Sequence, residues 1–174
     1  MDSFECITTK LEIREFSPKE VPAEIKLKIL EAARLTGTGL NTQHWRFIVV
    51  EDKNNIMRLA DDSTSGKWIA GARFAIIVLT NPRYKFHSID AGRVIQNMEL
   101  AGWNYGIGSC IFTGIRDEKL RNDFAIPDDL EPTVIVGFGY PSKILAGNRK
   151  NRLALNSLVY YEKYGKSSPK IGQK

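Results

Sequence analysis

The stretch Gly37-Thr38-Gly39-Leu40-Asn41-Thr42-Gln43-His44-Trp45-Arg46-Phe47, continued by Ile48-Val49-Val50, turns from glycines and short polar side chains into an aromatic, β-branched strand signal. Glycine lacks a Cβ and tolerates φ > 0, so such a loop can bring backbone N–H groups close to a ligand. Asn41 and Gln43 add amides that both donate and accept hydrogen bonds. On residue types alone, an ordinary helix-to-strand turn accounts for the stretch equally well.

Working outward, the chain has 174 residues, enough for a single domain with a substantial core. Its 43% hydrophobic and 26% charged content is that of a globular protein. No apolar run approaches the roughly 20 residues that cross a bilayer. Asp2 and Glu5 precede any basic residue, unlike a secretory leader, so a cytoplasmic protein is expected. Cys6 and Cys110 form no CxxC pair and sit among apolar neighbours, as small buried hydrophobes do. The net charge of +5 is unevenly placed: residues 141–174 hold eight Lys/Arg and one Glu, and the first 140 carry a net −2. That tail can meet phosphate groups of a nucleotide or of nucleic acid, or be a solvated end. No aromatic–basic reading surface accompanies it, so a nucleic-acid role is not expected.

The element pattern alternates. Residues 2–9 read as a short helix, and Pro22 opens a second helix that runs to about Thr36 and ends at Gly37 and Gly39. Trp45–Glu51 reads as a strand buried on both faces. Asp52 caps a helix to Ala60, and Asp61–Lys67 is loop. Phe74–Thr80 is a buried strand closed by Asn81-Pro82. The longest helix spans about Ser88–Tyr105, with Ile95, Met98, Gly102 and Tyr105 on one stripe. Strands follow at Ser109–Thr113 and Thr133–Tyr140, with a short helix at Asp117–Asn122 between them. Helices alternating with strands imply one sheet layered between helices, α/β or α+β.

Familiar catalytic signatures are missing. Gly106-Ile107-Gly108 follows a helix and has Ile111 where a dinucleotide fingerprint needs its third glycine. There is no phosphate-binding P-loop and no G-x-S-x-G. His44 and His87 have no ligand cluster in sequence, so no metal site is expected. Asp61-Asp62 and Asp128-Asp129 read as solvated loop carboxylates.

Five segments together resemble the nitroreductase family. They are Lys10-Leu11-Glu12-Ile13-Arg14-Glu15-Phe16, similar to the family's R-R-S-x-R-x-F, and Gly37–Phe47, similar to P-S-x-x-N-x-Q-P-W-x-F. Gln96-Asn97-Met98-Glu99 through Gly106-Ile107-Gly108-Ser109-Cys110 resembles the family's long helix and its exit, Q-N-x-x-x-A-A-x-x-x-G-L-G-S-C. Val136–Pro141 matches V-G-Y-P loosely, and Lys150-Asn151-Arg152 a late basic element. The resemblance covers most of residues 4–160 and implies one three-layer α+β domain over residues 1–174. Its sheet would be mostly antiparallel, flanked by helices, with an intertwined homodimer whose tail, about 141–174, wraps the partner.

The same resemblance implies an FMN site at the dimer seam, with NADH or NADPH as hydride donor and a small electron acceptor (a nitroaromatic, quinone or flavin). Lys10 stands where the family places an arginine on the FMN phosphate, and Lys150 and Arg152 would also reach that phosphate. Arg14 matches a basic residue near the flavin pyrimidine edge and ribityl chain, where a reduced flavin carries negative charge. A surface ion pair with a neighbouring Glu is the alternative for Arg14. Thr38, Gly39 and Asn41 would approach from the partner subunit. Thr113 and Gly114 stand where a backbone N–H meets flavin N5. No side chain is expected to act as acid, base or nucleophile. Three departures stand out: Lys10-Leu11-Glu12 replaces R-R-S, Gly37-Thr38 replaces Pro-Ser, and His44 replaces Pro. Glu12 repels a phosphate unless it turns to solvent or pairs with a base. A non-catalytic flavin- or ligand-binding dimer would share all these residues.

Overall fold

In a computed structural model, residues 1–143 and 150–166 are described. Five helices, α1 (Ser3–Thr9), α2 (Ala23–Arg34), α3 (Lys53–Asp61), α4 (His87–Asn104) and α5 (Asp117–Phe124), surround four strands. These are β1 (Arg46–Val50), β2 (Phe74–Thr80), β3 (Gly108–Phe112) and β4 (Glu131–Gly139), in the order β1-β2-β4-β3, every pair antiparallel.

Side-chain alternation along the two central strands builds the layers. Phe74, Ile76 and Val78 of β2 join Val134, Val136 and Phe138 of β4 on one face. There they pack under Ile29 and Ala33 of α2 and Val94, Ile95 and Met98 of α4. Ala75, Ile77, Leu79 and Ile135 face the other way, onto Ile56 and Leu59 of α3, Leu120 of α5 and Ile69. Phe74 and Phe138 stack across the strands with centroids 4.8 Å apart. Gly137 is required on the second face, because a Cβ there would lie 2.9 Å from the Trp68 ring. The result is the expected three-layer α+β arrangement, with a sheet that is antiparallel throughout.

Asp52 caps α3 as expected, accepting from Asn54 N–H and Asn55 N–H. Two expectations need correction. β1 is an edge strand, so its cover is partial on both faces: Phe47 packs half-buried against the α2/α4 core, Ile48 and Val50 against the opposite one, and Val49 is exposed. Tyr105 lies just beyond α4 with its ring exposed, because the chain turns at Gly106, φ +76°, into β3.

The segment before Phe16 runs along the free edge of β3. Glu12 bridges Ser109 in parallel fashion, and Ile13 N–H donates to the Ser109 carbonyl at 2.8 Å. Buried Ile13 presses on Gly108, where a Cβ would lie 2.6 Å from its side chain. This edge positions the candidate site.

Candidate functional site

Lys10 ends α1, and its side chain turns inward to 7% exposure. The ammonium donates to Glu99 Oε1 at 2.9 Å and also to Glu12. Ser109 Oγ–H donates to the same Glu99 oxygen at 2.9 Å. Burial raises the pKa of the Glu99 carboxyl, and Lys10 offsets only part of that rise.

Lys10, Lys150 and Arg152 wall one cavity of about 610 Å³, together with Glu12, Gln96 and Leu100. Lys150 Nζ donates to the Ile7 carbonyl. Burial lowers the Lys150 pKa, and repulsion from Arg152 and Lys10 lowers it further. Arg152 makes no ion pair among the described residues. Here three cations meet two carboxylates, so the cavity carries surplus positive charge and suits an anion. The structure therefore brings together the three residues read as phosphate contacts. The rest of the basic tail, residues 144–149 and 167–174, lies outside the described residues.

Glu12 also walls a second cavity of about 350 Å³, with Ile13, Arg14, Glu15, Ser142 and Lys143. Arg14 does not form the alternative pair with a Glu; its Nε–H points at Cys110 Sγ, 3.4 Å away. Burial raises the Cys110 pKa and keeps it a thiol at neutral pH. Thr113 and Gly114 continue from β3. Gly114 lies five positions after Ser109, about 17 Å if the chain stays extended. Thr113 is exposed. The Gly114 carbonyl accepts from Thr64 N–H at 2.7 Å, while its own N–H has no protein acceptor among the described residues. A Cβ on Gly114 would lie 2.4 Å from both Thr64 Oγ1 and Ser65 Oγ.

Thr38, Gly39 and Asn41 stand apart from these groups in one chain, at the N-terminal end of α4. Gly39 N–H donates to Asp90 Oδ2 at 2.9 Å, and Thr38 Oγ1 accepts from Gln43 N–H. The exposed Asn41 accepts from Gln43 Nε2. Leu40, Asn41 and Gln43 have φ of 52°, 54° and 47°, three left-handed non-glycine residues around a right-handed Thr42 that only a constrained loop sustains. Asp90, 1% exposed, supplies much of that constraint. Its Oδ2 also meets His44 Nε2 at 3.3 Å, while His44 Nδ1 accepts from Asn81 N–H. That acceptor role places the ring proton on Nε2, toward Asp90. Gly39 is obligatory as well, since a Cβ would fall 2.6 Å from the Phe86 ring.

Sequence reasoning missed Glu99, Ser109 and Asp90, and misplaced Asp62. Asp62 is buried rather than solvated, because the end of α3 packs it against α5, where Lys119 pairs with it. The only signal for Glu99 was a carboxylate next to Met98 on a buried helical stripe.

The family model for the "Nitroreductase family" matches residues 9–77 and 64–140. A relative from Methanothermobacter thermautotrophicus named "Putative NADH dehydrogenase/NAD(P)H nitroreductase" is 31% identical over 152 residues, 82% of this chain and 79% of that one. A nitroreductase family protein from Clostridium difficile 630 superposes with a TM-score of 0.82 at 27% identity, covering 94% of this chain and 99% of the other. The fold is likewise shared with an FMN-dependent nitroreductase from Clostridium difficile R20291, TM-score 0.85 at 23% identity, covering 92% and 99%. The chain belongs to the nitroreductase family, a class of oxidoreductases.

Proposed function

We propose that this protein is an FMN-dependent oxidoreductase that passes hydride from NADH or NADPH to a small acceptor: a nitroaromatic, a quinone or a flavin. The observation that carries this reading is the cavity where Lys10, Lys150 and Arg152 converge, a built place for a terminal phosphate. FMN, when bound, supplies the two-electron chemistry. The chain's own residues bind and orient. Lys150 and Arg152 hold the phosphate, with Lys10 fixed beneath them by Glu99. Arg14 offers positive charge further along the same edge, where the reduced ring gathers negative charge. Gly114 offers an unspent N–H for the reacting nitrogen, and Thr113 flanks it.

The second half of the site comes from a second copy of the chain, which presents Thr38, Gly39 and Asn41. Several features support this. Leu40 at the loop tip is 89% exposed, and Ile89 on α4 is also open to solvent. Gly92 sits mid-helix on the same exposed stretch with nothing within 4 Å of a Cβ position. A helix-interior glycine costs about 1 kcal/mol against alanine, a cost that a closely approaching backbone offsets. Residues 150–166 carry Leu153, Leu155, Leu158 and Tyr164 exposed, as an arm laid on a partner would. We read residues 1–174 as one such domain working in the cytoplasm, and Cys6 and Cys110 are unbridged.

The test is steady-state oxidation of NADH and NADPH by the FMN-reconstituted protein, with a nitroaromatic, a quinone and free flavin in turn. Acceptor-dependent turnover is expected with at least one pair. Flavin binding without turnover for any pair would instead establish a non-catalytic binding dimer.

A further inference from the structure

Lys10, Glu12 and Arg14 are two residues apart on the extended segment beside β3, so their side chains leave the backbone on one side as a plus–minus–plus row. Ile13 between them is buried against Gly108. Glu12 is the wall between the two cavities, one holding Lys10, Lys150 and Arg152, the other holding Arg14. Its side chain is 55% exposed, whereas Lys10 and Glu99 are at 7% and 6%. Lys10 thus has two carboxylates on one ammonium: Glu99 fixed below, Glu12 exposed above. Arg14 has no carboxylate partner among the described residues.

We propose that Glu12 is a carboxylate latch on the phosphate end of the site, occupying the Lys10 ammonium until a phosphate displaces it toward Arg14. This inference rests on the FMN reading and adds a specificity determinant to it. A phosphate entering the cavity needs Lys10 and is repelled by a carboxylate on that same nitrogen. Glu99 cannot yield, because it is buried and also held by Ser109. Glu12 can, and Arg14 is two residues away to receive it. Lys143, the other cation of the second cavity, is already paired with Glu15 at 2.6 Å. The latch lowers the chain's preference for a flavin bearing a phosphate over one lacking it. A flavin without a phosphate leaves Glu12 on Lys10, so the latch separates FMN from riboflavin.

The experiment titrates the apoprotein with FMN and with riboflavin, reading quenching of flavin fluorescence, for wild type, E12Q, K10M and the double variant. Circular dichroism confirms folding of each. E12Q is expected to tighten FMN roughly three- to tenfold, the scale of one exposed ion pair removed from competition. Riboflavin affinity should move by less than about twofold, and in the K10M background E12Q should also change FMN affinity by less than about twofold. An unchanged ratio of FMN to riboflavin affinity in E12Q overturns the latch, as does an equal gain in K10M, which would mean simple repulsion. Should wild type bind neither flavin, the cofactor reading fails on its own. Orthophosphate then decides the latch: a larger thermal stabilisation of E12Q than of wild type supports it, and an equal one overturns it.

Discussion

Removing the Lys10 ammonium strands a carboxylate in the interior. Lys10 Nζ and Glu99 Oε1 are 2.9 Å apart with side chains 7% and 6% exposed, and Ser109 is the other donor on that oxygen. Breaking a buried pair by deleting one partner costs about 3–5 kcal/mol, because the remaining charge is uncompensated. Lys10→Met keeps the stem's bulk and removes the charge. With a urea slope of about 2 kcal/mol/M, the unfolding midpoint should fall by roughly 1.5–2.5 M at pH 8. The pH dependence has a definite sign. Burial raises Glu99 in the folded chain, so the folded state holds the proton at a pH where the unfolded state has released it. The stabilising contribution of that proton is full in acid and is lost as pH rises through the folded value. Without Lys10, which lowers Glu99, the folded value moves higher still and the window widens upward. The variant's deficit against wild type should therefore shrink between pH 8 and pH 5. Urea melts followed by tryptophan fluorescence at fixed protein concentration measure this, with Lys10→Arg as a charge-preserving control. A loss below about 1 kcal/mol, equal at both pH values, would refute the buried pair.

Lys150→Met combined with Arg152→Met should weaken FMN binding at least about tenfold and leave riboflavin nearly unchanged, since only the phosphate loses partners; equilibrium titration of both flavins checks it. Gly39→Ala drives a methyl into the Phe86 ring and should cost about 1–3 kcal/mol in a denaturant melt while disordering the loop held by Asp90. Sedimentation of the native chain should give twice the 19.6 kDa chain mass, and a flavin-loaded species at 19.6 kDa would contradict the two-chain site.

The order of elements could be read from the chain because its strands carry dense local signals. Phe-Ala-Ile-Ile-Val-Leu-Thr at 74–80 coincides with β2 residue for residue. Asp52 before an apolar helical pattern likewise marks the start of α3. Burial was harder to read than element type. Phe47-Ile48-Val49-Val50 is as apolar as a central strand, and its place at the sheet edge depends on pairing order, which periodicity does not encode. At the site, Lys10, Lys150 and Arg152 were legible through resemblance, and the fold gathers them although 140 positions separate the first two. Glu99 and Asp90 were not legible. Each is a buried carboxylate whose meaning depends on a partner distant in sequence, Lys10 for one and Gly39 for the other.

The claim that the cationic cavity and the segment beside β3 hold a flavin is tested most directly by the visible absorption spectrum of the purified protein after FMN loading and desalting. The account predicts flavin absorbance retained near one per chain and bleached anaerobically by NADH or NADPH. A colourless protein, unchanged by FMN at many times the protein concentration, would contradict it.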